Sequence, residues 1–278
     1  MHEQIAAAAL RGGPDFGASP ERRLRVATYN VHSCIGGDRE CNPERIAHVL
    51  REIDADILGL QEVGAAEFAD EADQFRYLQR HMGMDGVAGP TLRRGKARFG
   101  NAVLTCGRIL EAKVVDLTVL SFQPRGAIDC MIEVRGSIVR VVSTHLGLLP
   151  QERSRQLKRL ADLLDERPWP LTVLLGDFNI FGPERRQLRR IGAPRRLAKL
   201  RSFPARRPLM SLDRVWTVPN EALSETRVHR STLARVASDH LPVVGEIDPS
   251  AAGIAPESAE FAVRRGRAAG VAPAEAIA

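Results

Sequence analysis

The sequence predicts an α/β (α+β) domain of mixed β-sheets with helices on the outside. Short apolar runs alternate with amphipathic helical segments along most of the chain. Two of these runs, 127–134 and 138–146, flank only Arg135-Gly136-Ser137, the spacing of an antiparallel hairpin. Other runs are separated by helices long enough to cross over a sheet. Hairpins and crossovers together argue for mixed sheets rather than a doubly wound parallel one. The 278 residues, 44% of them hydrophobic, suffice for a sizeable core.

Each element has its own signal. Residues 24–33 (LRVATYNVHS) read as the first strand. A helix is expected at 42–55, where Asn42 is a capping residue, Pro43 fits the first turn, and Ile46, Val49, Leu50 and Ile53 share one face. DILGLQEV at 56–63 is a strand, and 66–82 reads as helical. Strands follow at 100–106 and 112–120, then the hairpin, then a helix at 151–167. The run at 171–178 is a buried strand bounded by Pro170, and late strands are expected at 212–219 and 241–247. The Ala/Gly/Pro-rich ends, 1–22 and 249–278, are expected to be flexible segments around one domain at 23–248, with a short helix around 257–267.

Composition excludes some classes of function. No apolar run approaches the roughly 20 residues of a membrane span. The N-terminus lacks a basic segment followed by a long apolar core, so no secretory signal is expected. Cys34, Cys41, Cys106 and Cys130 show no C-x-x-C spacing. Reduced, structural cysteines in a cytoplasmic protein are the expectation, and zinc is not. A net charge of +6 suits phosphates, nucleic acid or peripheral contact with an anionic membrane. Only Lys96, Lys113, Lys158 and Lys199 are lysines, however, and so strong an arginine bias also arises from codon composition. The densest run, 185–208, has no acid, Tyr or Trp. It reads equally as a solvated helix plus loop or as a basic rim for a polyanion, and it is a poor base-stacking surface.

Polar residues recur where the strands end. In LTVLLGDFNI, Asp177 and Asn179 follow an apolar run, although both are poor strand formers and costly to bury unpaired. Asn30 closes the first strand, Gln61 and Glu62 the second, and His145 ends VVSTH. Asp213 opens LDRVW, and Asp239 and His240 precede LPVVGEI. Carboxylates, amides and histidines at six strand termini form the pattern of a ligand site, because loops converge there.

The segments TYNVHS, LGLQEV, FGNAVLTCG, QPRGAI, VVSTHLG, LLGDFN, SLDRVW and ASDHLPV, in this order over about residues 24–247, resemble the endonuclease/exonuclease/phosphatase superfamily, the metal-dependent phosphoesterases related to deoxyribonuclease I. The resemblance implies a four-layer sandwich, two mixed sheets packed face to face with helices outside, and phosphoester hydrolysis with a divalent metal, usually Mg²⁺ with Mn²⁺ as the alternative. It implies that Glu62 is the principal metal ligand with Asn30 nearby, and that Asp239 assists. Asp177 then orients or deprotonates the attacking water. Asn179 and His145 donate to phosphoryl oxygens, as does His240 with Asp213 as its carboxylate partner. Arg125 and Arg214 are candidate phosphate contacts. His32 and Ser33 follow Asn30 closely enough to line the site.

The resemblance leaves three readings of the substrate. The first is a phosphodiester or phosphoester of a lipid headgroup or small molecule. The second is DNA or RNA. The third, a phosphate-binding module without catalysis, is disfavoured because every matched position carries a usable residue. QEV and THLG stand where abasic-site endonucleases carry Q-E-T and a Tyr-bearing motif, and only 5% of residues are Phe, Trp or Tyr. Both facts favour the first reading slightly.

Overall fold

A computed structural model describes residues 23–64, 73–94, 97–120 and 122–253. The N-terminal segment, the part of the expected second helix at 66–72, and the expected helix at 257–267 lie outside these residues. In chain order the elements are β1 (Leu24–Asn30), α1 (Pro43–Ile53), β2 (Ile57–Val63), α2 (Gln74–Met82), β3 (Asp85–Arg94) and β4 (Ala97–Thr105). Next come β5 (Arg108–Asp116), β6 (Gly126–Val134), β7 (Ser137–His145), α3 (Pro150–Glu166) and β8 (Thr172–Asp177). β9 (Asp213–Val218), β10 (Leu223–Val228), α4 (Ala234–Ala237) and β11 (Val243–Ile247) follow in the described residues.

Two mixed sheets form, in the orders β10-β11-β1-β2-β4-β3 and β5-β6-β7-β8-β9. Each contains one parallel pair, β1 with β2 and β7 with β8, among antiparallel neighbours. Side-chain alternation then makes three apolar layers. Val26, Ile57, Val103, Ile128, Val141, Val173 and Leu175 fill the space between the sheets. Tyr29, Leu58 and Leu60 face the other way, against Ile46, Leu50 and Ile53 of α1 and Leu78 of α2. Val142, Leu174 and Trp216 pack against Leu157 and Leu160 of α3. Strands buried on both faces read as unbroken apolar runs, which is why LTVLLG lacks alternation.

Local signals act as expected at several points. Asn42 Oδ1 accepts the Arg45 N–H at 2.9 Å and caps α1. The β6–β7 hairpin turns on Arg135 and Gly136, both at positive φ (49° and 75°), as a two-residue turn requires.

The structure corrects three expectations. The first strand stops at Asn30, and a 3₁₀ turn at His32–Cys34 follows with φ near 50° at each residue. β5 lies at 108–116 rather than 112–120. β3 and β10 were not expected. Both are edge strands of the larger sheet, where one neighbour suffices and Gly, Pro and charged residues are tolerated, so neither carries an apolar run. The 185–208 run begins in a 3₁₀ helix, Gly182–Ile191, and continues as loop. Among the described residues no helix is long and apolar enough to cross a membrane.

Gly176 sets the approach of β8 to β7. Its φ is +152°, and a Cβ there would lie 2.0 Å from the Thr144 carbonyl oxygen. That obstacle is backbone, so it cannot swing aside. Gly176→Ala is therefore expected to lower stability by at least about 2 kcal/mol, read as the midpoint of urea unfolding. An unchanged midpoint would show that the two strand ends can part without cost.

Candidate active site

The C-terminal ends of β1, β2, β7 and β8 deliver Asn30, Glu62, His145 and Asp177 to one side of the sandwich. The β7–β8 register places His145 opposite Asp177, and the β8–β9 register places Asp177 opposite Asp213. Glu62 sits at a bulge in the β2–β4 ladder with φ 56°, and Asn179 follows β8 with φ 50°. Left-handed backbone at such residues costs on the order of 1 kcal/mol or more. Here it aims both side chains into the same space, a cleft of about 450 Å³. Asn30, Glu62, Arg125, His145, Asp177, Asn179 and His240 all line that cleft.

Asp177 is the hub. It is 1% exposed, and three kinds of donor converge on it. Asn30 Nδ2 lies 3.2 Å from Oδ2, and the Asn179 backbone N–H donates to Oδ1 at 3.0 Å. His145 Nε2 and His240 Nε2 approach Oδ2 at 3.5 and 3.8 Å. The same Asn30 amide donates to Glu62 Oε1 at 3.1 Å, so two carboxylates share one NH₂ group.

The two histidines are held in opposite protonation states. Burial works against charge on His240, but the Asp213 carboxylate, 2.8 Å from Nδ1, and the nearby Asp177 and Asp239 overcome it and raise its pKa to about 10. Asp213, wholly buried, also accepts from Ser202 Oγ at 2.5 Å. His145 has no such partner. Burial first, then the cations Arg125 and His240, outweigh Asp177 and bring its pKa down to about 3. Arg125 Nη1 lies 3.1 Å from His145 Nδ1. The Asn179 amide Nδ2 lies 3.2 Å from Nε2, so the ring meets a donor at each nitrogen.

Arg125 is buried, and it bonds Gln123 Oε1 at 3.2 Å as well as His145. Arg214 does not line the cleft: its Nη2 donates to the Ile180 and Ser211 carbonyls at 3.2 and 2.8 Å, where it fastens two loops. Asp239 also stands off the cleft wall, its half-exposed carboxylate 3.8 Å from His32 Nδ1. Gln61 is buried and takes the Thr28 hydroxyl at 3.2 Å, a packing role. Ser33 turns its hydroxyl to the Gly64 carbonyl.

Sequence reasoning missed the residues that hold this set in place. Gln74 of α2 accepts the Gly64 N–H and donates to the Ser33 carbonyl, both at 2.8 Å, tying the end of β2 to the turn after β1. Ser238 Oγ donates to the Asn30 carbonyl at 2.8 Å, and Ser202 holds Asp213. Only Ser238, inside the ASDHLPV match, carried a sequence signal.

A divalent cation fits the donor chemistry here. Glu62 and Asp177 present two carboxylates against one guanidinium, Arg125, because burial keeps His145 neutral and His240 is matched by Asp213. Asp177, Asp213 and His240 also bring ligand atoms within 4.8 Å of one another. However, Asp213 and His240 Nδ1 are already committed to each other, and Asn30 turns its NH₂ to both cleft carboxylates and its Oδ1 to the His32 N–H, which leaves the carboxylate oxygens of Glu62 and Asp177 as the better set for a hard cation.

The Endonuclease/Exonuclease/phosphatase family matches residues 27–240, and the chain belongs to that family. It is 29% identical over 248 aligned residues to the uncharacterized protein YbhP of Escherichia coli K12, covering 81% of this chain and 96% of YbhP. Among solved structures, an endonuclease/exonuclease/phosphatase from Beutenbergia cavernae superposes with a TM-score of 0.66 at 24% identity, over 82% of this chain and 72% of the other. TDP2 of D. rerio, solved with a single-strand DNA product, superposes with a TM-score of 0.59 at 15% identity, over 81% and 99% of the two chains. These structural likenesses establish the shared α/β sandwich.

The His240–Asp213 pair gives stability a defined pH dependence. Below about pH 6.5 folded and unfolded chains both hold the imidazole proton, and the pair contributes fully. Above it the unfolded chain releases the proton while the folded one keeps it, so this contribution falls until about pH 10. In metal-free protein, ¹⁵N NMR of the imidazoles at pH 7.5 is expected to show His240 doubly protonated and His145 neutral. Two neutral rings at that pH would contradict the Asp213 assignment.

Proposed function

We propose that the protein is a divalent-metal-dependent phosphodiesterase that cleaves its substrate by in-line attack of water. The observation that carries this reading is the meeting, in one cleft, of the Glu62 and Asp177 carboxylates, bridged by the Asn30 amide, with two buried histidines, one backed by Asp213 and the other by Arg125. Glu62 would hold the cation, Mg²⁺ or alternatively Mn²⁺, with Asn30 beside it fixing that carboxylate through its amide NH₂. Bound there, it supplies positive charge against the phosphoryl oxygens.

The chain's own residues account for the rest. Asp177 Oδ2, fixed by Asn30, accepts a proton from the attacking water. His240, pinned through Nδ1 to Asp213, turns its Nε2–H toward the cleft as a cationic donor to the phosphoryl group. His145 and Asn179, whose Nε2 and Nδ2 stand 3.2 Å apart, donate to oxygens on which charge develops. Arg125 completes the anion site. A family in which deoxyribonuclease I-like folds act on phosphoesters supports this assignment.

A second reading, a nuclease, draws on the D. rerio TDP2 likeness and the exposed arginines of 185–208. Mg²⁺-dependent nicking of supercoiled plasmid, with His240→Ala as the control for contaminating nuclease, separates the two. Nicking by the wild type alone selects the nuclease.

Turnover of bis(4-nitrophenyl) phosphate tests the mechanism. EDTA should abolish it and Mg²⁺ or Mn²⁺ restore it. Asp177→Ala and His240→Ala should each lower kcat by at least about 100-fold with the fold intact by circular dichroism. Full activity in chelator removes the metal from the account, and near-normal kcat in either variant removes that residue.

A further inference from the structure

We infer that the mouth of the cleft is a docking surface for an anionic lipid bilayer, so that the phosphoester reaches the site as part of an amphiphile. The substrate class rests on the phosphodiesterase reading above; the docking itself does not. The observation is an apolar rim on an otherwise polar cleft. Leu148 and Phe181 line the cleft together with Asp177 and His240, yet they are 67% and 57% exposed. Leu149, at 49%, and Leu209, at 71%, are exposed chain neighbours of the cleft-lining Leu148 and Met210. Large apolar side chains left in water around one opening mark a surface meant to be covered.

Charge beside this rim selects the cover. Phe181 leads directly into the 3₁₀ helix Gly182–Ile191, which exposes Arg185, Arg186, Arg189 and Arg190. Its acid, Glu184, is taken by the buried Arg153 of α3 and does not offset them. Apolar side chains that can insert, flanked by cations at headgroup level, are the composition of an interfacial binding surface. Nucleic acid fits less well. Of the exposed apolar side chains at the mouth only Phe181 offers a ring on which a base can stack; the other two cleft phenylalanines, Phe99 and Phe203, are half-buried, and Phe203 is already packed on the His240 ring with centroids 4.7 Å apart.

The test is co-sedimentation of the full chain, in EDTA to prevent turnover, with phosphatidylglycerol/phosphatidylcholine vesicles and with pure phosphatidylcholine vesicles. The expected result is binding to the anionic vesicles at least about tenfold stronger than to the neutral ones. Replacing Arg185, Arg186, Arg189 and Arg190 by Gln should erase that preference, and Leu148→Ser with Phe181→Ser should weaken binding by about tenfold. All six side chains are exposed, and circular dichroism checks their folding. Equal or absent binding to both vesicles overturns the proposal. So does binding that depends on the arginines but ignores the two apolar substitutions, or tight binding to a single-stranded oligonucleotide by protein that leaves vesicles alone. A protein that binds vesicles but never hydrolyses a phosphodiester with Mg²⁺ retains the docking surface and loses the enzymatic reading. One that hydrolyses the soluble diester but ignores vesicles does the reverse.

Discussion

One buried carboxylate constrains the whole arrangement. Asp177 is almost completely removed from water, and an unpaired charge there would cost several kcal/mol. Its partners come from four separate places: Asn30 at the end of β1, His145 at the end of β7, Asn179 just past β8, and His240 shortly before β11. The charge is tolerable only where the two sheets bring those ends together. The two parallel pairs do this, because parallel neighbours end on the same side. Gly176, with no room for a Cβ, sets the approach of β8 to β7 one residue earlier.

The same residue type then performs two tasks. His145 and His240 are both buried and both face Asp177, but their second nitrogens meet opposite charges. Asp213 behind His240 keeps that ring cationic, whereas burial, reinforced by Arg125, keeps His145 neutral. An anionic phosphoester would therefore meet His240 and Arg125 as fixed positive groups, while His145 offers a hydrogen bond without charge. The carboxylates of Glu62 and Asp177 are left in excess of their cationic partners, the electrostatic setting a divalent cation would satisfy.

Much of this was legible in the sequence, for a physical reason. Polar residues that interrupt or end apolar strands are expensive unless used, so Asn30, Glu62, His145, Asp177 and His240 stood out and do line one cleft. Asp239 and Arg214 stood beside the same motifs, and neither reaches the cleft wall. Adjacency in sequence does not set side-chain direction at a strand end, where the backbone turns. The supports were invisible for the opposite reason. Gln74 and Ser202 lie in polar stretches where such residues cost nothing, and only the tertiary structure gives them partners. Edge strands β3 and β10 escaped because an edge needs no apolar run.

Water attack at phosphorus is the central claim. Its most direct test is hydrolysis of bis(4-nitrophenyl) phosphate by the Mg²⁺-supplemented wild type in H₂¹⁸O, with the product read by ³¹P NMR. The account predicts one ¹⁸O in every 4-nitrophenyl phosphate formed, shown by an isotope-shifted resonance. Label in the released nitrophenol instead, or no product at all, would contradict it.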